Sequence, residues 1–114
     1  MPTVTGTSPV NNATAVLRGA NVTATFSEAM QASTLNTTTF GLRKSGTTTN
    51  VAAAVGYDPA TKRATLDPNV DLKAGATYTA TVTTGAKDQS GNQLDQDPIT
   101  AGNQTKSWQF KVKP

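Results

Sequence analysis

The chain has 114 residues, 10 Lys and Arg against 7 Asp and Glu, a formal net charge of +3, and neither Cys nor His. That length suits one hydrophobic core, and the missing Cys and His exclude disulfides, thiolate chemistry and the commonest general base. Thr makes up about a fifth of the residues while Glu occurs once, at Glu28, a balance that disfavours long helices and favours strands with hydroxylated outer faces.

Taken in chain order, apolar residues recur with period two in short stretches bounded by Gly, Pro, Asn, Asp and Ser. The first strand is expected over Thr3–Thr7, stopped by Ser8-Pro9, where proline removes a ladder donor. Asn21–Phe26 alternates cleanly, with Val22, Ala24 and Phe26 on one face. Glu28–Leu35 is the one helix-like piece, a single short turn that lets Met30 and Leu35 cap the core. Thr39–Lys44 points Phe40 and Leu42 inward, and Gly46 then permits a turn. Asn50–Tyr57 offers Val51, Ala53, Val55 and Tyr57, and Arg63–Leu66 offers Ala64 and Leu66. Each of these two is closed by Asp-Pro. Ala76–Thr83 carries Tyr78, Ala80 and Val82, and Ser107–Val112 carries Trp108, Phe110 and Val112.

Seven such strands with one wet face each predict an all-β fold, an immunoglobulin-like Greek-key β-sandwich of about seven antiparallel strands in two sheets. Leu72 through Tyr78 adds a local signal: Gly75 permits a turn, and the Tyr78 hydroxyl can reach a backbone group a few residues upstream, as in a tyrosine corner. The loop from Asp95 to Lys106 is long and polar, and its path is not specified by any pattern.

Four ordered landmarks carry a family likeness: Thr7–Val16; Val22–Met30 with Ser33-Thr34-Leu35; Leu72–Tyr78 with Lys87–Leu94; and Trp108-Gln109-Phe110. Through them the chain resembles the bacterial Ig-like family named for the S-layer protein SbsA. The resemblance implies that residues 1–114 form a single Ig-like domain of a larger secreted or surface-attached bacterial protein. It further implies a non-catalytic spacer that positions neighbouring domains of the same polypeptide, outside the cell. An adhesion module that grips a surface polysaccharide or a protein receptor through its loops, with or without calcium, is the alternative. Export would depend on a signal outside this segment, since no leader-like run opens it. The Ser8-Pro9 and Phe26-Ser27-Glu28 segments also resemble the copper-carrying CopC-type sandwiches, but those use His ligands and this chain has none.

Candidate chemistry is sparse. A glycosidase pair could be drawn from Glu28 with Asp58, Asp67 or Asp71, yet those Asp residues stand where turns favour them. Asp88-Gln89-Ser90-Gly91-Asn92, followed by Asp95 and Asp97, is oxygen-rich, but it lacks the alternating acidic spacing and closing Glu of a dedicated calcium loop. The simpler expectation is a turn in which Asp88 binds backbone amides and Gly91 takes a positive φ. Met1 and Met30 are the only soft ligands for copper. A Lys–Asn isopeptide lock is not expected, because the first two strands hold no Lys and Glu28 falls in the turn after them. Asn12, Asn21, Asn36 and Asn103 head Asn-x-Thr sequons. No catalytic, cofactor or metal residue is therefore assigned. Basic residues are scattered without interleaved aromatics, which argues against nucleic acid, and no run is long enough to span a membrane.

Overall fold

The computed structural model describes residues 2–47, 50–95 and 105–114. It is all-β, with eight strands: β1 (Val4–Ser8), β2 (Ala13–Val16), β3 (Val22–Phe26), β4 (Phe40–Lys44), β5 (Ala53–Asp58), β6 (Arg63–Pro68), β7 (Thr77–Val82) and β8 (Lys106–Val112). They form two four-stranded sheets of order β1-β3-β6-β5 and β2-β8-β7-β4. This is the strand order of a constant-type immunoglobulin sandwich with its first strand shared between the sheets. The chain crosses from β1 to β2 through the cis Ser8-Pro9 peptide, at the proline that ends the first ladder.

The expected sandwich is present, with one strand more than the seven read from the sequence. The added strand, β2, pairs in parallel with β8 through Ala13↔Phe110 and Val16↔Val112, whereas all other strand pairs are antiparallel. Its alternation is broken by Ala15, whose φ is 58, so the two half-buried residues, Ala13 and Val16, are three apart rather than two. A period-two reading cannot see such a strand. Asn11 and Asn12 start it: the Asn12 amide donates to the Gln109 carbonyl at 2.6 Å and the Gln109 amide to Asn11 Oδ1 at 3.1 Å.

The core lies between the sheets. Val22, Ala24, Phe26, Ala64 and Leu66 face it from one side, and Phe40, Leu42, Tyr78, Ala80, Val82, Trp108, Phe110 and Val112 from the other, all buried. Trp108 and Phe40 contact at a ring-centroid distance of 6.2 Å, and Tyr78 stacks on Phe110 at 6.0 Å. Edge strand β5 buries its inward residues only by half. The short turn after β3 appears as a 3-10 helix over Ala32–Thr34, and Met30 and Leu35 are buried on either side of it.

The tyrosine corner is formed. The Lys73 amide donates to the Tyr78 hydroxyl at 2.9 Å, and Gly75 between them has φ 75, a left-handed conformation that glycine adopts without strain. The corner lies at the end where β8 leaves: Lys113 donates to the Val16 carbonyl, and the Lys113 carbonyl accepts from Gly75. The start of β1 is at the other end. There the Pro2 carbonyl accepts from Asp95, and the Thr3 carbonyl from Ser27.

Candidate functional site

The acidic loop at the β1 end is built around one carboxylate. Asp88, buried, accepts at Oδ1 from the Ser90 and Asn92 amides at 2.9 and 2.8 Å and at Oδ2 from Asn92 Nδ2 at 3.1 Å. Gly91 has φ 87, and the Asp88 amide donates to the Asn92 carbonyl, so the segment closes as the turn expected from its sequence. The bridge Lys87↔Gln93 closes the loop on itself, and Met30↔Asp88 fastens it to the segment after β3. Asp95 is also buried, and its Oδ1 has no hydrogen-bond partner among the described residues. Among the described residues no group of three or more Asp or Glu is placed to hold a metal ion. Asp97 and the rest of the 96–104 loop lie outside the described residues.

Burial works against the charged form of Asp88, but the donors from Asn92 and Ser90 outweigh it and hold the carboxyl below its ordinary value. A depressed folded-state pKa contributes stability that is present above the unfolded value, about 3.9, and is lost as pH falls through the folded one. The urea midpoint should therefore drop on acidification below about pH 4. Asp88→Asn should flatten that acid limb while lowering the midpoint at neutral pH; an unchanged limb in the variant would assign the acid sensitivity elsewhere.

The remaining acidic candidates do not converge. Asp58 is exposed at the end of β5, where its Oδ1 accepts the Ala60 amide at 2.9 Å, a turn interaction. Asp67 lies on β6, pairing opposite Ala54, and Asp71 beside Gly19. Glu28, half-buried, follows β3 at the opposite end from Asp71. Of the sequons, Asn12, Asn21 and Asn36 are exposed, and Asn103 lies outside the described residues.

The aromatic residues serve the core. Trp108 and Tyr78 are buried, and half-buried Tyr57 accepts the Met30 amide on its hydroxyl at 2.9 Å. Trp108 and Tyr78 therefore offer no stacking platform for a sugar, and Tyr57, which lines a surface pocket with Pro59 and Gln89, is the one described ring partly open to solvent. Copper fares no better: with no His or Cys in the chain, the soft donors are Met1, outside the described residues, and Met30, whose side chain is buried in the core. These residues do not make a copper site.

One surface groove is a feature that motif reasoning missed. On the outer face of the second sheet, a groove of ≈ 470 Å³ runs between β4 and β7. Its floor is Gly41, and its sides include Arg43, Lys44, Asn50, Thr79 and Thr81. Gly41 leaves a gap in the row of side chains, and Asn50 folds over it: a Cβ at position 41 would stand 2.8 Å from Asn50 Nδ2. The bridge Arg43↔Asn50 and the Val51 amide to Leu42 carbonyl bond, 2.7 Å, hold Asn50 there. None of the described residues lining the groove is acidic. The sequence signal was available as the outward period-two row Thr77-Thr79-Thr81-Thr83 facing Gly41 and Arg43, but it reads as ordinary wet surface until Asn50 is placed.

A family model described as bacterial Ig-like domain matches residues 1–112. Among solved structures, domains 1–6 of the surface layer protein SbsC superpose with a TM-score of 0.67 at 21% identity, covering 99% of this chain and 14% of that one. CopC from Methylosinus trichosporium OB3b gives 0.75 at 15% identity over 100% of this chain and 95% of that one. PcoC, a methionine-rich copper resistance protein from Escherichia coli, gives 0.71 at 19% over 98% of each. At these identities the likenesses show the fold. No protein of curated function matches the sequence.

Proposed function

The chain belongs to the bacterial Ig-like domain family, and from that premise we propose that it is a non-catalytic structural module of a secreted or cell-surface bacterial protein, holding the domains joined to it at a fixed separation. The observation that carries this reading is where the chain enters and leaves. β1 begins opposite Phe26, at the end that holds Asp88 and Asp95, and β8 ends opposite Val16 and beside Ala76. The long dimension of the body is 42 Å. A domain joined before β1 and one joined after β8 would thus sit at opposite ends of a rigid sandwich. Leu17 and Val70, 68% and 71% exposed, stand at the β8 end, where a joined domain would meet them.

Two further points support the reading. S-layer proteins carry domains of this fold within far longer chains, this chain spanning 14% of the SbsC chain it matches. The sequence also holds neither His nor Cys, and a reactive serine would lack its usual base.

The test uses the missing cysteines. Thr61→Cys, in the turn between β5 and β6, and Ala74→Cys, at the β8 end, give two unique labelling positions at opposite ends. Energy transfer between dyes there should report one narrow distance distribution, unchanged by calcium, copper or salt. A broad distribution, or one that shifts with an ion, would count against a rigid spacer.

A further inference from the structure

The groove on the outer face of β4 and β7 has features that a spacer does not require. Along β7 and just past its end, Thr79, Thr81 and Thr83 stand on one face at intervals of about 7 Å and all line the groove. The Thr81 hydroxyl is shared with Ser107 and that of Thr83 accepts the Gly85 amide, each keeping further hydrogen-bonding capacity. Each hydroxyl both donates and accepts a hydrogen bond. Asn50 adds an amide with both kinds of group, and Arg43, the register partner of outward-facing Thr79, places a cation along the β4 side. No acidic residue is among those described lining the groove, so an anion seated there would meet a guanidinium with no competing carboxylate beside it.

We infer that this groove binds an acidic polysaccharide, its sugar hydroxyls along the threonine row and Asn50, and its carboxylate or sulfate groups against Arg43. The chemistry of the walls selects this class. A protein partner would need a buried aromatic or aliphatic centre, and the described lining is hydroxyl, amide, glycine and cation. A single-stranded nucleic acid would need rings on which bases stack, and the described lining holds none. Arginine can meet a carboxylate or a sulfate in the two-pronged manner that a planar fork allows.

The experiment is affinity electrophoresis and calorimetry of the chain against polygalacturonate, dextran sulfate, neutral dextran and polyglutamate. Polygalacturonate and dextran sulfate should bind at low salt and weaken as salt screens the contact, and neutral dextran should bind far more weakly. Arg43→Ala should weaken polygalacturonate about tenfold. Gly41→Val alters no charge but drives Asn50 out of place, and it should weaken binding comparably. Arg63→Ala, on the outer face of the other sheet, removes a charge without touching the groove and should change nothing. Unaltered circular dichroism and melting establish that each variant is folded; if Gly41→Val is not, Arg43→Ala decides. Absence of binding to both acidic polymers would overturn the inference. So would equal loss in Arg63→Ala, or polyglutamate binding as tightly as polygalacturonate, since either would mean diffuse charge rather than a site for a sugar.

Discussion

Replacing Trp108 with alanine should cost about 3–5 kcal/mol and leave the domain on the edge of unfolding at room temperature. The indole is 2% exposed and packs between the sheets against Phe40. Its removal opens a void that the closed ladders β7–β8 and β4–β7 cannot collapse to fill, so both the lost transfer energy and the cavity count. Against a total of about 5–15 kcal/mol for a domain, that is a large share. Trp108→Phe separates size from polarity. The indole Nε1 is buried with no hydrogen-bond partner among the described residues, so phenylalanine loses volume but also removes an orphaned donor. It should cost about 1 kcal/mol. Urea titrations followed by far-ultraviolet circular dichroism check both variants. A Phe variant as damaged as the Ala variant would show that the N–H is not orphaned.

The second large effect is expected at Tyr78. Tyr78→Ala removes the ring that stacks on Phe110 and the hydroxyl that receives the Lys73 amide, for about 3–5 kcal/mol. Tyr78→Phe removes only the acceptor and should cost about 1 kcal/mol, because Lys73 is exposed and water can reach its amide. A further readout is local. In Tyr78→Phe, amide exchange should quicken at Lys73 while Ala80 and Val82 on the same strand keep their protection. Uniform quickening along β7 would mean that the corner stabilises the whole sheet rather than the turn before it.

How much of this was legible beforehand depends on which force sets each element. Strands such as Asn21–Phe26 and Ser107–Val112 face a dry core on one side, so alternation betrays them and their inward residues are those found buried. The tyrosine corner was readable because Gly75 and Tyr78 have conformational and hydrogen-bonding demands that few arrangements satisfy. Strand β2 was not readable: Ala13–Val16 is half-buried, bulged at Ala15 and held largely by backbone bonds to β8, which any side chain permits. The groove failed for a related reason. Gly41 and Asn50 are nine residues apart in the chain and meet through the bridge that Asn50 makes back to Arg43 of β4, so neither signals a site by itself. Asp88 sits between these cases: the sequence foresaw the turn, whereas its near-complete burial follows from the bridge to Met30, a contact between segments distant in the chain.

The pairing of β2 with β8 has a mechanical consequence. Tension applied through the two termini pulls β2 toward the β1 end, by way of Ser8-Pro9, and β8 toward the other. Because the two strands run parallel, they are dragged lengthwise past one another, so the bonds from Asn12 to Gln109 and from Lys113 to Val16 must yield together instead of peeling apart in turn. A short and unremarkable-looking edge strand would thereby act as the latch that keeps the sandwich closed under load.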